Sequence, residues 1–221
     1  MYPKLIQKIV HTLDNCLQEE LKDCQSVLDL GCGSRSPLIH IKHLKDSLGV
    51  EVYPPYLKAS QKQKIHHRYL KENILNLDLA PKSFDAVILI EALEHLNKKD
   101  GLTILKLAST WARKKVILST PNGYFPMGEV DQNPHQKHLS GWTPSQLDKL
   151  GFKVRGVSGL KALYTNINHT PSLINSDNNY YNIKYHPQAI FYYLNGIFQI
   201  FSYYHPKSAF GLFAVKSLWT F

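Results

Sequence analysis

The chain has 221 residues, of which 43% are hydrophobic and 11% aromatic, enough apolar material for one sizeable core. Its three cysteines, Cys16, Cys24 and Cys32, are odd in number and lack paired metal spacing, which predicts neither a disulfide framework nor a zinc site. Lys4 and Lys8 interrupt the apolar residues near the N-terminus, so neither a signal peptide nor a transmembrane segment is predicted. We expect a single-domain cytoplasmic protein with reduced thiols.

The chain is basic, with a formal net charge of +9. A basic surface attracts polyanions without any specific readout, so a nucleic-acid partner is one alternative. The charge is spread along the chain, and we interpret its densest stretch, residues 58–71, as one solvated helix face. That stretch contains Lys62, Lys64, His66, His67 and Arg68. A nucleic-acid partner is therefore possible but not favoured.

A strand that runs into a glycine turn is predicted early in the chain. Residues 2–22 place apolar side chains at helical spacing and predict an amphipathic helix, and residues 26–30 predict the first strand. Asp29 stands near the end of this strand, before a Gly-x-Gly turn made by Gly31 and Gly33. The glycines let a ligand lie against bare backbone, and the carboxylate favours a cationic ligand over a pyrophosphate. S-adenosylmethionine, which carries an α-ammonium and a sulfonium, is such a ligand.

This turn resembles the first motif of the class I S-adenosylmethionine-dependent methyltransferases, Asp/Glu-x-Gly-x-Gly-x-Gly. Arg35 replaces the last glycine of that pattern. We therefore expect the loop after Gly33 to follow a different path and its helix to begin later, near Pro37, and to run to about residue 48.

The end of the second predicted strand carries Glu51. A carboxylate at the carboxyl end of a parallel strand can accept hydrogen bonds from both hydroxyls of an adenosine ribose. The following Tyr-Pro-Pro-Tyr, residues 53–56, is similar to a signature of amino-methylating nucleic-acid methyltransferases, but Tyr53 replaces its polar residue and it follows the wrong strand. We interpret the prolines as the start of a helix that runs to about residue 69.

A second block of the chain continues the resemblance. A short third strand over residues 69–72 leads into Asn73 and Ile74, followed by a Ser-Phe-Asp start to strand four and a Glu-His-Leu turn. The resemblance implies that Asn73 accepts a hydrogen bond from the adenine amino group and that Ile74 covers the adenine face. Asn73 stands where the family usually has an acid. Glu91, at the mouth of strand four, is expected to face the methionine part of the cofactor or the acceptor.

We expect a structural role for Glu94 and His95, which lie in the helical turn after strand four. A helix over residues 102–111 and a fifth strand over residues 115–120 follow.

The connection after strand five, residues 121–144, is rich in histidine, amide and turn residues and is predicted to form a lid and acceptor wall. It is similar to the corresponding stretch of uncharacterised bacterial and archaeal small-molecule methyltransferases, and the resemblance covers residues 26–157. His138 is our candidate general base. The alternative is that His135 and His138 only hold the lid by hydrogen bonds. No third ligand follows this His-x-x-His pair at a recognisable spacing, so no metal is predicted.

The rest of the chain predicts three further core elements and an insertion. The core elements are a helix over residues 143–150, strand six over 152–157 and strand seven over 209–216. The insertion holds a polar stretch, residues 166–182, and a helix over 187–204 that carries no charged residue. This helix has one apolar stripe, Ile190, Leu194, Ile197, Phe201 and Tyr204, and one polar stripe, Gln188, Tyr192, Asn195, Gln199 and Ser202.

We interpret the helix over 187–204 as cover for the core or as a homodimer contact. The alternatives are a wall of a hydrophobic acceptor pocket and an interfacial element that dips into lipid.

The predicted fold is a doubly wound, Rossmann-like α/β sheet of seven strands with an antiparallel last strand, helices on both faces and a helical insertion between strands six and seven. One domain, 1–221, would comprise an N-terminal helix (1–25), a cofactor-binding core (26–157), the insertion (158–208) and the last strand (209–221).

The predicted function is methyl transfer from S-adenosylmethionine to a small-molecule, lipid-like or glycan-like acceptor. An RNA methyltransferase, suggested by the charge, and a non-catalytic binding module, suggested by Arg35 and Asn73, are the alternatives.

Overall fold

A computed structural model describes residues 11–164 and 188–218, with only the backbone described over 188–193. The strands are β1 Ser26–Leu30, β2 Asp46–Val50, β3 Arg68–Leu70, β4 Phe84–Ile90, β5 Ala112–Pro121, β6 Lys153–Leu160 and β7 Ala209–Ser217. The α-helices are α1 Leu13–Leu21, α2 Pro54–Gln63, α3 Lys98–Trp111, α4 Pro144–Lys149 and α5 Gln188–Tyr204.

The seven strands form one sheet in the order β3-β2-β1-β4-β5-β7-β6. The first five in sequence pair in parallel, whereas β7 lies antiparallel between β5 and β6. The predicted doubly wound sheet with an antiparallel last strand is therefore confirmed. Apolar side chains of the central strands pack on both faces, as is usual for parallel strands covered by helices. The carboxyl ends of β1, β2, β4 and β5 meet at one edge, where ligands bind in open sheets of this kind.

The helix expected over residues 37–48 is wrong. The chain makes only a single 3-10 turn, Pro37–His40, and then enters β2, which pairs with β1 from Asp46. Gly49 lies inside β2 because the His66 ring packs against it, with an added Cβ only 2.8 Å from Nδ1. The loop after Gly33 thus does follow a different path from the family pattern. The predicted helix is absent, however, and does not simply begin later.

Several other boundaries differ from the prediction. Helix α2 ends at Gln63 because Lys64 adopts a left-handed conformation, with φ of 52°, and β3 begins before residue 69. Glu94 and His95 belong to a separate 3-10 turn, Leu93–His95, ahead of α3. The N-terminal helix is described only from Leu13, and the polar stretch over 166–182 lies outside the described residues.

Helix α5 presents Asn195, Gln199 and Ser202 of its polar stripe to β6. Gln199 and Asn195 accept hydrogen bonds from the backbone N–H groups of Gly159 (2.6 Å) and Leu160 (2.9 Å), at an irregularity in the β6–β7 pairing. Gly156 allows the close approach, since a Cβ there would lie 2.1 Å from the Ser202 carbonyl oxygen. Within 11–164 and 188–218, no helix is long and apolar enough to cross a membrane.

Candidate active site

One cavity of about 1290 Å³ opens at the carboxyl edge of the sheet. Its lining includes every site residue predicted from the sequence, namely Asp29, Gly31, Gly33, Glu51, Asn73, Ile74, Glu91 and His138. These residues come from the ends of three strands, the segment after β3 and the segment after β5. The cavity is larger than a typical pocket for one small ligand, so it has room for a cofactor and an acceptor side by side.

The glycine turn forms one wall of the cavity. Gly31 and Gly33 have φ of +72° and +59°, the left-handed region that glycine adopts without steric cost. A Cβ on Gly31 would lie 3.1 Å from the Cβ of Ala92, whereas a Cβ on Gly33 would meet nothing within 4 Å. The turn therefore leaves bare backbone beside open space at Gly33.

The carboxylate of Asp29 is held from inside the protein. Asp29 is 1% exposed, and its Oδ2 accepts a hydrogen bond from the Ser36 hydroxyl (2.5 Å) and lies 2.9 Å from His66 Nε2. His66 is buried, so it does not belong to the solvated basic face that we expected for residues 58–71. The sequence did not reveal this pair, because His66 stands 37 positions after Asp29 with no motif spacing between them.

Glu51 lies directly after β2 and is buried against the glycine turn. Its carboxylate accepts hydrogen bonds from the backbone N–H of Gly33 (3.0 Å) and of Tyr53 (2.8 Å). Burial raises the pKa of Glu51, although both backbone hydrogen bonds act in the opposite direction. A carboxylate has about four lone-pair sites, so two such bonds leave acceptor capacity toward the cavity.

Asn73 and Ile74 lie side by side on the cavity wall. The side-chain oxygen of Asn73 caps a short 3-10 turn by accepting from Leu75 N–H at 3.0 Å, and the side chain is otherwise exposed. Ile74 is buried and offers an apolar surface.

Two glutamates follow β4. Glu91 adopts a left-handed φ of 50° and accepts a hydrogen bond from the Ser119 hydroxyl at 2.7 Å. Glu94 is 2% exposed, and its Oε2 has no hydrogen-bond partner. Burial and the nearby Glu91 carboxylate raise the pKa of Glu94 well above its usual value.

The lid, which we define as residues 122–143, crosses the cavity mouth. Its Asp131 accepts hydrogen bonds from the hydroxyls of Tyr53 and Tyr56, at 2.9 Å each, through its backbone and side-chain oxygens. Trp142, 1% exposed, anchors the C-terminal end of the lid under α3, where a Cβ on Gly101 would lie 2.6 Å from its ring. The expected lid is therefore held against the protein at its middle and at its C-terminal end.

His138 lies on the inner side of the lid and is 2% exposed. Its Nδ1 is 2.6 Å from the Phe125 carbonyl oxygen, so Nδ1 carries the proton and Nε2 keeps a lone pair. Burial lowers the pKa of His138. Its ring contacts that of His95, with centroids 4.9 Å apart, and burial together with His138 lowers the pKa of His95 to about 4.

The structure brings Glu94 and His95 to His138. Ligand atoms of the three side chains all lie within 4.8 Å of one another, a grouping that can hold a metal ion. Only His138 of the His-x-x-His pair belongs to this group, and the turn after β4, far away in the chain, supplies the other two side chains. The Glu-His pair was visible in the sequence, but only the fold shows that the lid lies over it.

The far wall of the cavity is aromatic. The rings of Tyr164 and Phe210 stack with centroids 4.1 Å apart, and Phe125 meets Phe210 edge-on at 5.4 Å. Both Tyr164 and Phe210 line the cavity.

The glycine turn, the acid after β2 and the apolar side chain after β3 fit S-adenosylmethionine. The open space beside Gly33 admits a ligand against the backbone, and Ile74 can cover a purine ring. The sheet order and this site together define a class I methyltransferase fold.

Comparison with known proteins agrees with this class. Residues 28–118 match the family described as "Methyltransferase domain". This match covers less than half of the chain and agrees with the methyltransferase fold of the sheet and with S-adenosylmethionine as the cofactor.

Solved structures share the fold over almost the whole chain. The methyltransferase domain of bacterial CtHen1 is 18% identical, with a TM-score of 0.55 over 96% of this chain and 100% of that one. Magnesium protoporphyrin IX methyltransferase from Synechocystis, solved with bound S-adenosylmethionine, is 15% identical, with a TM-score of 0.51 over 98% of this chain and 86% of that one.

Sequence relatives match over a shorter span. An uncharacterized protein of Methanocaldococcus jannaschii is 30% identical over 49% of this chain and 47% of its own length. (S)-coclaurine N-methyltransferase of Thalictrum flavum is 26% identical over 47% of this chain and 30% of its own length. The match thus spans less than half the length of these relatives.

Proposed function

We propose that the protein transfers a methyl group from S-adenosylmethionine to a small-molecule, lipid-like or glycan-like acceptor. The observation that carries this proposal is the convergence of every predicted site residue on one cavity. The bound cofactor supplies an electrophilic methyl group, and the protein has to align the acceptor with it and accommodate a proton.

In this proposal the cofactor's amino-acid end lies against Gly31 and Gly33 near Asp29, and Glu51 accepts from the ribose hydroxyls. Asn73 and Ile74 contact the adenine. Pairing with His66 and Ser36 fixes the orientation of the Asp29 carboxylate, so Asp29 acts mainly through its negative charge.

The acceptor occupies the space between the lid and the aromatic wall. Stacked rings favour an acceptor with an apolar or ring-bearing part, which supports the small-molecule and lipid-like classes. The naming of two similar proteins as an N-methyltransferase and a porphyrin methyltransferase points the same way. Glu91 faces the methionine part of the cofactor or the acceptor. His138 acts at the acceptor through Nε2, and direct removal of a proton is the simplest form of that action.

Two measurements test the proposal. Calorimetry should detect stoichiometric binding of S-adenosylhomocysteine, and tritiated cofactor should label an acceptor in cell extract. Binding without sustained label transfer would favour the non-catalytic module, whereas no binding would refute the cofactor assignment.

An RNA acceptor is the second candidate, because six basic side chains of the stretch over residues 58–71 are exposed. These are Lys58, Lys62, Lys64, His67, Arg68 and Lys71. Filter binding at two salt concentrations tests it, since phosphate contacts make affinity fall steeply with salt. Absence of a salt-sensitive RNA complex would remove this candidate.

A further inference from the structure

The cluster of Glu94, His95 and His138 is built from two segments that the backbone locks together. The Glu94 carbonyl oxygen accepts from the N–H groups of Leu139 (2.9 Å) and Ser140 (3.0 Å). These backbone hydrogen bonds hold the turn after β4 against the lid, and they bring the three side chains together.

Both histidines hold Nδ1 beside a backbone carbonyl oxygen. Nδ1 of His138 is bound to the Phe125 carbonyl oxygen, and Nδ1 of His95 lies 3.3 Å from the Lys137 carbonyl oxygen. A backbone carbonyl on one ring nitrogen fixes the tautomer and leaves Nε2 free, which is the arrangement found around metal-binding histidines.

The third member is Glu94, whose carboxyl group would carry the negative charge when a cation is bound. Glu94 Oε2 is buried, and no described group forms a hydrogen bond with it. A buried carboxylate oxygen without a partner costs free energy, and a cation between it and the two imidazoles would remove that cost.

We infer that Glu94, His95 and His138 bind one divalent cation in the cavity. Two imidazoles and a carboxylate suit Zn²⁺, Mn²⁺ and related ions, and three protein ligands leave a position for an exogenous oxygen. Ligand atoms around such an ion are about 3 to 4 Å apart, so small side-chain rotations from the present geometry suffice.

A cation at this position favours a hydroxyl oxygen as the atom that is methylated. This part of the inference rests on the proposed function. A cation lowers the pKa of a hydroxyl bound to it. The acceptor hydroxyl then loses its proton to solvent, its oxygen bonds to the methyl carbon, and the carbon–sulfur bond breaks with its electron pair left on sulfur. With the cation bound, His138 acts on the acceptor as a ligand of the ion through Nε2, and this replaces the direct removal of a proton.

Metal binding is tested without catalysis. The full chain is stripped with EDTA and titrated with Mn²⁺ and separately with Zn²⁺ by calorimetry, and the Mn²⁺ complex is examined by pulsed EPR. We expect one ion per chain and ¹⁴N couplings from two histidines. Glu94→Gln, His95→Ala and His138→Ala should each weaken binding about tenfold or more.

His135→Ala is the matched control, because His135 is on the same lid and lines the same cavity but is not in the cluster. It should bind the ion like the wild type. S-adenosylhomocysteine affinity of each variant reports whether it is folded, and it also tests the proposed function separately.

Two results would overturn the inference: no stoichiometric binding of either ion, or His138→Ala binding equal to wild type. If the His138 variant does not fold, the ¹⁴N couplings of the wild-type Mn²⁺ complex decide, and their absence overturns the inference.

Discussion

Glu51 offers the sharpest test of the cofactor site at the scale of one residue. Glu51→Ala removes a carboxylate that faces the cavity, and we expect it to cost about 1.5 to 3 kcal/mol of S-adenosylhomocysteine binding, the range for hydrogen bonds to a charged group. That corresponds to roughly ten- to a hundredfold in the calorimetric Kd. Asp46→Ala, at the opposite end of β2 and exposed beside Arg68, is the control and should leave the Kd unchanged. Equal affinities for wild type and Glu51→Ala would refute the ribose assignment.

Alanine substitutions at Gly33 and Gly151 test two effects separately. One is the loss of open space in the cavity, and the other is the strain of a left-handed backbone. Both have positive φ, +59° and +85°, so alanine at either position should destabilise the fold by about 1 kcal/mol. Only Gly33 lines the cavity. We expect Gly33→Ala to weaken S-adenosylhomocysteine binding about tenfold or more by calorimetry. Gly151→Ala should lower the melting temperature similarly and bind normally, and a parallel loss of affinity in both variants would contradict this.

Residues marked by local motifs were predictable, and partners from distant positions were not. Asp29, Gly31, Gly33 and Glu51 could be placed because each lies at or just after the carboxyl end of a strand, at the same edge of the sheet. His66 was misassigned because its burial depends on Gly49 opening a space in β2, which nothing near residue 66 indicates.

Asp85 connects elements at the opposite edge of the sheet from the cavity. It is the second residue of β4 and accepts hydrogen bonds from Gln25 N–H (2.7 Å) and from Arg113 Nε on β5 (3.0 Å). Burial raises the pKa of Asp85, but these bonds outweigh burial and hold the pKa below its ordinary 3.8. The ionised side chain therefore stabilises the junction of the central strands.

Asp85→Asn should lower the free energy of unfolding by about 1 to 2 kcal/mol at neutral pH. Because the folded pKa lies below the unfolded value of 3.8, this stabilisation is complete above that value. It is lost as the pH falls through the folded pKa, so the difference between wild type and variant should shrink in acid. Urea unfolding at several pH values measures this difference in the free energy of unfolding. The variant Asp78→Asn, at an exposed position, is the control. A difference that stays constant below pH 3.8 would contradict the assignment.

Strands were easier to predict than the connections between them. Strands β1, β4, β5 and β7 are continuous apolar runs buried on both faces, and their positions followed from that pattern. The connection from β1 to β2 was mistaken for a helix, because its apolar residues, Leu38, Ile41 and Leu44, have helical spacing although they line an irregular segment.

Helix α5 shows why an amphipathic pattern does not by itself tell which face is buried. Asn195 and Gln199 of its polar stripe pack against β6 and satisfy backbone N–H groups that the irregular strand pairing leaves there. In its apolar stripe, Ile197 and Tyr204 are 65% and 61% exposed. Burying amides is favourable here because they replace missing strand hydrogen bonds.

At the scale of the whole molecule, the exposed stripe of α5 bears on the predicted homodimer. We expect the 25.3 kDa chain to self-associate in sedimentation velocity, since exposed apolar patches often mark protein contacts. Ile197→Asp should shift the equilibrium to monomer. Leu102→Asp, which charges an exposed leucine on α3, is the control and should not. A wild-type chain that stays monomeric at high concentration would refute the dimer.

The hydrogen bonds from Tyr53 and Tyr56 to Asp131 have a kinetic consequence. Those tyrosines flank the start of α2, next to Glu51, while His138 is on the same lid at the acceptor side. A lid that contacts both the cofactor side and the acceptor side of the cavity cannot open over one ligand and stay closed over the other. We therefore expect the methylated acceptor and S-adenosylhomocysteine to leave through the same opening of the lid. Removing the Tyr56 hydroxyl should then increase the dissociation rates of both products together.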